Sequence, residues 1–69
     1  MEIGRKIAQI RKEAGLTQVE FARRVGVGIR FVRDVEQGKK SIRLDKLNQA
    51  LDFLGYHVEA IKNEREFEQ

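Results

Sequence analysis

Four of the six glycines in this chain stand directly after stretches whose apolar residues recur at helical spacing, and that punctuation constrains the fold most. Glycine enters the left-handed conformation at little cost, so it ends a helix and turns the chain. Ile3, Ile7, Ile10 and Ala14 form a stripe that predicts a helix over 2–14, stopped by Gly15. Leu16-Thr17-Gln18-Val19-Glu20 then opens a second helix. Thr17 and Glu20 are spaced for a capping box, with Leu16 placed to staple onto Phe21. Phe21, Ala22 and Val25 make its inner face, Arg23 and Arg24 its outer one, and Gly26 ends it. After Gly26-Val27-Gly28 a third helix is predicted from Ile29 to Gln37, stopped by Gly38. Its Phe31, Val32 and Val35 face one way, while Ile29, Arg30, Arg33 and Gln37 face the other. Leu44, Leu47, Leu51 and Leu54, with Ala50 and Phe53 alongside, make a fourth helix closed by Gly55. No proline interrupts any of them.

Beyond Gly55 the period changes. Tyr56-His57-Val58-Glu59-Ala60-Ile61 alternates in the manner of a strand. A lone strand leaves a row of backbone groups unpaired, so the expectation is pairing across a dimer through Tyr56, Val58, Ala60 and Ile61. The fold class expected is therefore all-α: four helices plus one C-terminal β-strand shared between two copies. Sixty-nine residues hold one such domain, divided as 1–55 for the helices, 56–61 for the strand and 62–69 for a charged, flexible tail.

Composition narrows the function. There is no cysteine and one histidine, which excludes disulfides and the usual zinc sites. His57 is expected to be packed or exposed without a special role. Paired carboxylates and nucleophile–base sets are not evident, and Gly26-x-Gly28 lacks the third glycine of a dinucleotide loop, so neither an enzyme nor a cofactor is expected. No apolar run approaches a membrane span, and the N-terminal residues resemble neither a secretory signal nor a transit peptide, so a cytoplasmic protein is expected. The net charge of +3 conceals an asymmetry. Residues 1–43 hold 11 Lys and Arg against 5 Asp and Glu, whereas residues 44–69 hold 3 against 6. That pattern suits a polyanion-facing side and a separate acidic one, although a solvated helix surface carries similar charge.

A helix, a short glycine turn and a second helix with two outward arginines read as a helix-turn-helix, whose second helix presents its first turns to the major groove of DNA. Gly15-Leu16-Thr17-Gln18, Phe21-Ala22, Gly26, Val32 and Glu36-Gln37-Gly38-Lys39 resemble the lambda-repressor-like (XRE) family over residues 3–54. The run 26–33, Arg43-Leu44-Asp45-Lys46-Leu47 and the C-terminal strand are most similar to the HipB-like antitoxins. The resemblance implies base reading by Ile29, Arg30 and Arg33. Arginine pairs bidentately with guanine, and isoleucine can touch only a thymine methyl. It implies DNA-backbone contacts from Gln18, Gly28, Lys39, Lys40, Ser41 and Arg43. Arg11 and Glu36 match a structural ion pair joining the first helix to the third. The family often carries Ser or Thr at position 28 and Gln at position 29, so the glycine and isoleucine here depart from it.

The expected function is a dimeric, sequence-specific transcriptional repressor on a palindromic double-stranded operator, serving as antitoxin and autoregulator of a HipBA-like system with a HipA-like kinase toxin as partner. The alternatives are a free-standing phage-type or housekeeping repressor and a protein-interaction module that does not bind DNA.

Overall fold

The computed structural model describes residues 2–62. Four helices follow one another: α1 (Glu2–Glu13), α2 (Gln18–Val25), α3 (Ile29–Glu36) and α4 (Leu44–Phe53). α3 packs against both α1 and α2, and α4 packs against α2. The core between them is a cluster of Ile7, Phe21, Ala22, Val32, Val35, Leu47, Ala50 and Leu51. Burying a side chain of this size stabilises by roughly 1.5–3 kcal/mol before the entropy cost is subtracted.

Most residues of the apolar stripes meet in this core; Ile10 is buried outside the cluster, and three others are exposed. Ala14 is exposed, because the chain has left α1 there and doubles back at Gly15 to bring Leu16 against the core. Leu44 and Phe53, at opposite ends of α4, are about half exposed at 57% and 46%. Phe53 nonetheless tilts against Phe21 of α2, with ring centroids 6.3 Å apart.

Local chemistry sets the helix ends. At α2 the capping box is complete: the Glu20 N–H donates to Thr17 Oγ1 at 3.1 Å, and the Thr17 N–H donates to Glu20 Oε1 at 2.9 Å. The bonds from Thr17 hold the Glu20 carboxyl below its ordinary range. α2 ends at Gly26, whose φ of 88° is left-handed, and whose N–H donates to the Ala22 carbonyl. α4 braces the same corner, since Gln49 Nε2 donates to the Val25 carbonyl at 2.8 Å. The turn between α2 and α3 is thus closed by backbone on one side and by a side chain on the other.

Gly4 sits inside α1, where glycine costs about 1 kcal/mol relative to alanine. Its value is a close approach: a Cβ at this position would collide with the backbone carbonyl of Val35 in α3.

The expected strand is not present. Tyr56–Ile61 carries no ladder, and among the described residues there is no strand at all. The physical reason is that the described residues of one chain offer no second strand to pair with, since the rest of them are helices and short connections. The start of the segment is tied to α4 instead. The Tyr56 N–H donates to the Leu51 carbonyl at 2.8 Å and the Gly55 N–H to Asp52 at 3.0 Å, a Schellman closure of the helix. The Val58 N–H donates to Asn48 Oδ1 at 3.3 Å. Of the charged tail expected over 62–69, only Lys62 is described, and 63–69 lies outside the described residues. No helix among the described residues is long and apolar enough to cross a membrane.

Candidate nucleic-acid interface

α3 is short, and its eight residues divide by direction. Val32 and Val35 are buried and Phe31 is half-buried. At about 100° per residue, Arg30 and Gln37 point within about 20° of one another, directly away from the valines. Arg33 and Asp34 flank them by about 50° on either side, and Ile29 lies about 90° round, at the margin. Exposure follows this wheel. Arg30, Arg33 and Gln37 are exposed, whereas Ile29 is half-buried and packs against the core. Ile29, Arg30, Arg33, Asp34 and Gln37 together line one shallow groove. The three residues expected to read bases therefore share a surface, with Ile29 offering only part of its side chain.

Below this face, α3 is held by a polar network. Arg11 of α1 donates from Nε to Glu36 Oε2 at 2.6 Å and from Nη2 to Oε1 at 2.9 Å. Its Nη1 donates to the Leu16 carbonyl at 2.8 Å. Both charged side chains are only 8% exposed. Burial pushes the Glu36 carboxyl up, but hydrogen bonds from Arg11 and Gln18 and the Arg11 charge outweigh it and leave the group below its ordinary range. The network joins α1, the entry to α2 and the end of α3, and so fixes the angle at which α3 presents its outer face.

Gln18 belongs to that network. Its Nε2 donates to Glu36 Oε1 at 2.9 Å, so its amide points to the ion pair instead of standing out from the first turn of α2. The other residues expected at the DNA backbone are scattered in their attachments. Gly28 is exposed and forms the N-cap of α3 without a side chain to satisfy its first N–H groups. Lys39 lies 3.4 Å from Asp34, loosely tied to the reading face. Lys40 and Ser41 are exposed. Arg43 folds forward onto Asp45, at 2.6 Å and 3.1 Å. The bond from Arg43 outweighs burial and lowers the Asp45 carboxyl from its ordinary value, although both side chains stand about two-thirds in solvent, at 68% and 65%.

Sequence reasoning passed over Asp34 and Gln37 as site residues. The angular position of Gln37 was visible in the pattern, and the spacing of four between Arg30 and Asp34 marked Asp34 as a neighbour. Among the expected dimerisation residues, Tyr56, Val58 and Ile61 are exposed at 46%, 37% and 78%, and Ala60 is exposed as well.

The profile of a family described as Helix-turn-helix matches residues 7–61. An uncharacterised helix-turn-helix-type transcriptional regulator, y4mF, of Sinorhizobium fredii is 38% identical over 60 residues, which cover 87% of this chain and 79% of the relative. The immunity repressor protein of Bacillus phage phi105 is 34% identical over 64 residues, 93% of this chain but only 44% of the phage protein. The chain thus spans less than half the length of that repressor. Among solved structures, one described as MDT Protein superposes with a TM-score of 0.74, covering 93% of this chain and 89% of its own, at 17% identity. That likeness is one of fold.

Proposed function

The chain belongs to the lambda-repressor-like helix-turn-helix family, and from that premise we propose that it is a sequence-specific DNA-binding repressor of transcription, a binder and not an enzyme. The observation that carries the reading is the outer face of α3. Arg30 and Arg33 are exposed side by side on a helix whose inner face is locked by Val32, Val35 and the Arg11–Glu36 pair. A rigid element with outward guanidiniums is what direct readout of guanine edges requires. Lys39, Lys40 and Arg43, on the connection after α3, add sequence-independent attraction to phosphates.

The proposed assembly is a homodimer on a palindromic operator. Its support is the exposure of the apolar residues Phe53, Tyr56, Val58 and Ile61, at the end of α4 and along the segment that follows it. There the alternating segment 56–61 has a row of backbone groups for a second copy to pair with. The proposed cellular role is antitoxin and autoregulator beside a HipA-like kinase toxin, supported by the similarity of the 26–33 run to HipB-like chains and by the acidic balance of residues 44–69. A second reading, a free-standing phage-type repressor, is favoured by the likeness to the phi105 immunity repressor.

Titrating the chain against labelled duplex DNA at several salt concentrations tests the core of the proposal. Binding should weaken steeply with salt, with a log–log slope of about −0.9 per phosphate neutralised. A slope near zero removes DNA as the ligand and leaves a protein-interaction module. Co-expression with the product of the adjacent reading frame separates the two cellular roles, since an antitoxin co-elutes with it and restores growth.

A further inference from the structure

The groove along α3 holds one acid. Asp34 lines it together with Ile29, Arg30, Arg33 and Gln37, on the side of Arg30 one helical turn on. Its side chain is 27% exposed, and its Oδ2 lies 3.4 Å from Lys39 Nζ, the one side-chain hydrogen bond its carboxylate makes among the described residues. This is a long contact to a flexible, mostly exposed lysine, not a locked pair like Arg11–Glu36.

A carboxylate entering a groove walled by phosphates is repelled whatever the base sequence. That repulsion is offset only where the base facing it donates a hydrogen bond. Guanine presents O6 and N7, and thymine O4, all acceptors. Adenine presents its N6 amine beside the N7 acceptor, whereas cytosine presents the N4 amine with no acceptor on the same base. We infer that Asp34 is a specificity-determining residue that accepts a hydrogen bond from a cytosine N4 amine while Lys39 moves from Asp34 to a phosphate. The inference rests on the DNA-reading role proposed above and adds to it the identity of a base.

Geometry gives the register. Four residues along a helix rise about 6 Å, and successive base pairs are about 3.4 Å apart. The cytosine read by Asp34 therefore lies one to two base pairs from the guanine read by Arg30. The same carboxylate acts against promiscuity, because at a non-cognate site it meets acceptors and loses the Lys39 contact without replacement.

The test is selection of the full chain on a randomised duplex pool, followed by affinities for the enriched duplex and for single-base-pair changes of it. The wild type should enrich a half-site with a guanine and, one to two base pairs away, a cytosine. Replacing that cytosine pair should cost the wild type about five- to 150-fold in affinity. Asp34→Ala removes both the acceptor and the charge. It should lose the preference at that one position, keep the guanine preference and bind random DNA several-fold more tightly. Asp34→Asn keeps the shape and an acceptor oxygen but adds a donor and removes the charge. Its preference at that position should shift toward adenine, whose N6 and N7 it matches, with the same gain on random DNA. If both variants keep every base preference and merely bind all DNA more tightly, the inference is overturned while the DNA-binding reading stands. A wild-type chain that enriches no sequence overturns both.

Discussion

α3 and the segment after Gly55 both carry exposed residues assigned to binding, yet they are held in opposite ways. α3 is gripped from below by two valines, from its end by the Arg11–Glu36–Gln18 network and from α1 by the close approach at Gly4. Residues 56–62 are exposed throughout, tied to α4 by the Tyr56 and Val58 N–H groups. The difference teaches where specificity and adaptability reside. A surface that reads base edges must arrive preformed, since each misplaced bidentate contact forfeits its energy. A segment that, on the dimer proposed above, pairs with a second copy needs no fixed partner within its own chain.

The sharpest way to break the contrast is to release α3. Glu36→Ala leaves the Arg11 guanidinium buried without its carboxylate and should cost about 3–5 kcal/mol of stability, read from chemical denaturation. An unchanged midpoint would show that the network contributes little. The same group predicts a pH dependence. Because the folded Glu36 carboxyl titrates below its ordinary value of 4.5, its stabilising contribution is full above that value and is lost as pH falls through the lowered folded value. Glu36→Gln should flatten that acid limb of the stability profile, while a parallel limb in both proteins would assign the effect to other carboxylates.

A smaller loss follows from closing the gap between α1 and α3. Gly4→Ala forces a Cβ against the Val35 carbonyl and should cost about 1–3 kcal/mol as an overpacked contact. This outcome runs against helix propensity, which favours alanine by about 1 kcal/mol. A stabilised variant would mean that the two helices separate freely.

Removing residues 57–69 sharpens the comparison from the other side. The Tyr56 N–H still closes α4, so α1–α4 should stay folded with a melting midpoint within a few degrees of the full chain when both are monomeric. Association should vanish in light scattering. A truncated chain that still dimerises tightly would place the interface elsewhere. The smallest effect belongs to Asp45→Asn, which frees Arg43 in solvent. Exposed pairs contribute little, so the thermal midpoint should stay unchanged, and a clear drop would show that Arg43 anchors the start of α4.

Legibility in the sequence followed the range of the interaction. The helices expected over 2–14 and 29–37 appear as Glu2–Glu13 and Ile29–Glu36, and the box between Thr17 and Glu20 has the geometry its three-residue spacing requires. Such features depend on neighbours within one turn. The outward direction of Arg30 and Arg33 was equally readable, because a helical wheel needs only the period. The meeting of Arg11 with Glu36, 25 residues apart, came only through family resemblance. The engagement of Gln18 by Glu36 was not foreseen, because a side-chain amide serves a phosphate or a carboxylate with the same atoms.

By itself, the amino-acid sequence determined the four helices, their glycine stops and the side of α3 that faces outward. These are consequences of backbone conformational preference and of apolar periodicity, which act over three or four residues. Tertiary structure alone decided that Gly4 lies beneath a carbonyl of α3, that Gln18 turns onto Glu36, and that residues 56–61 form no strand within one chain. Each of those depends on what stands across a gap from the residue, and local sequence does not encode the far side of a gap.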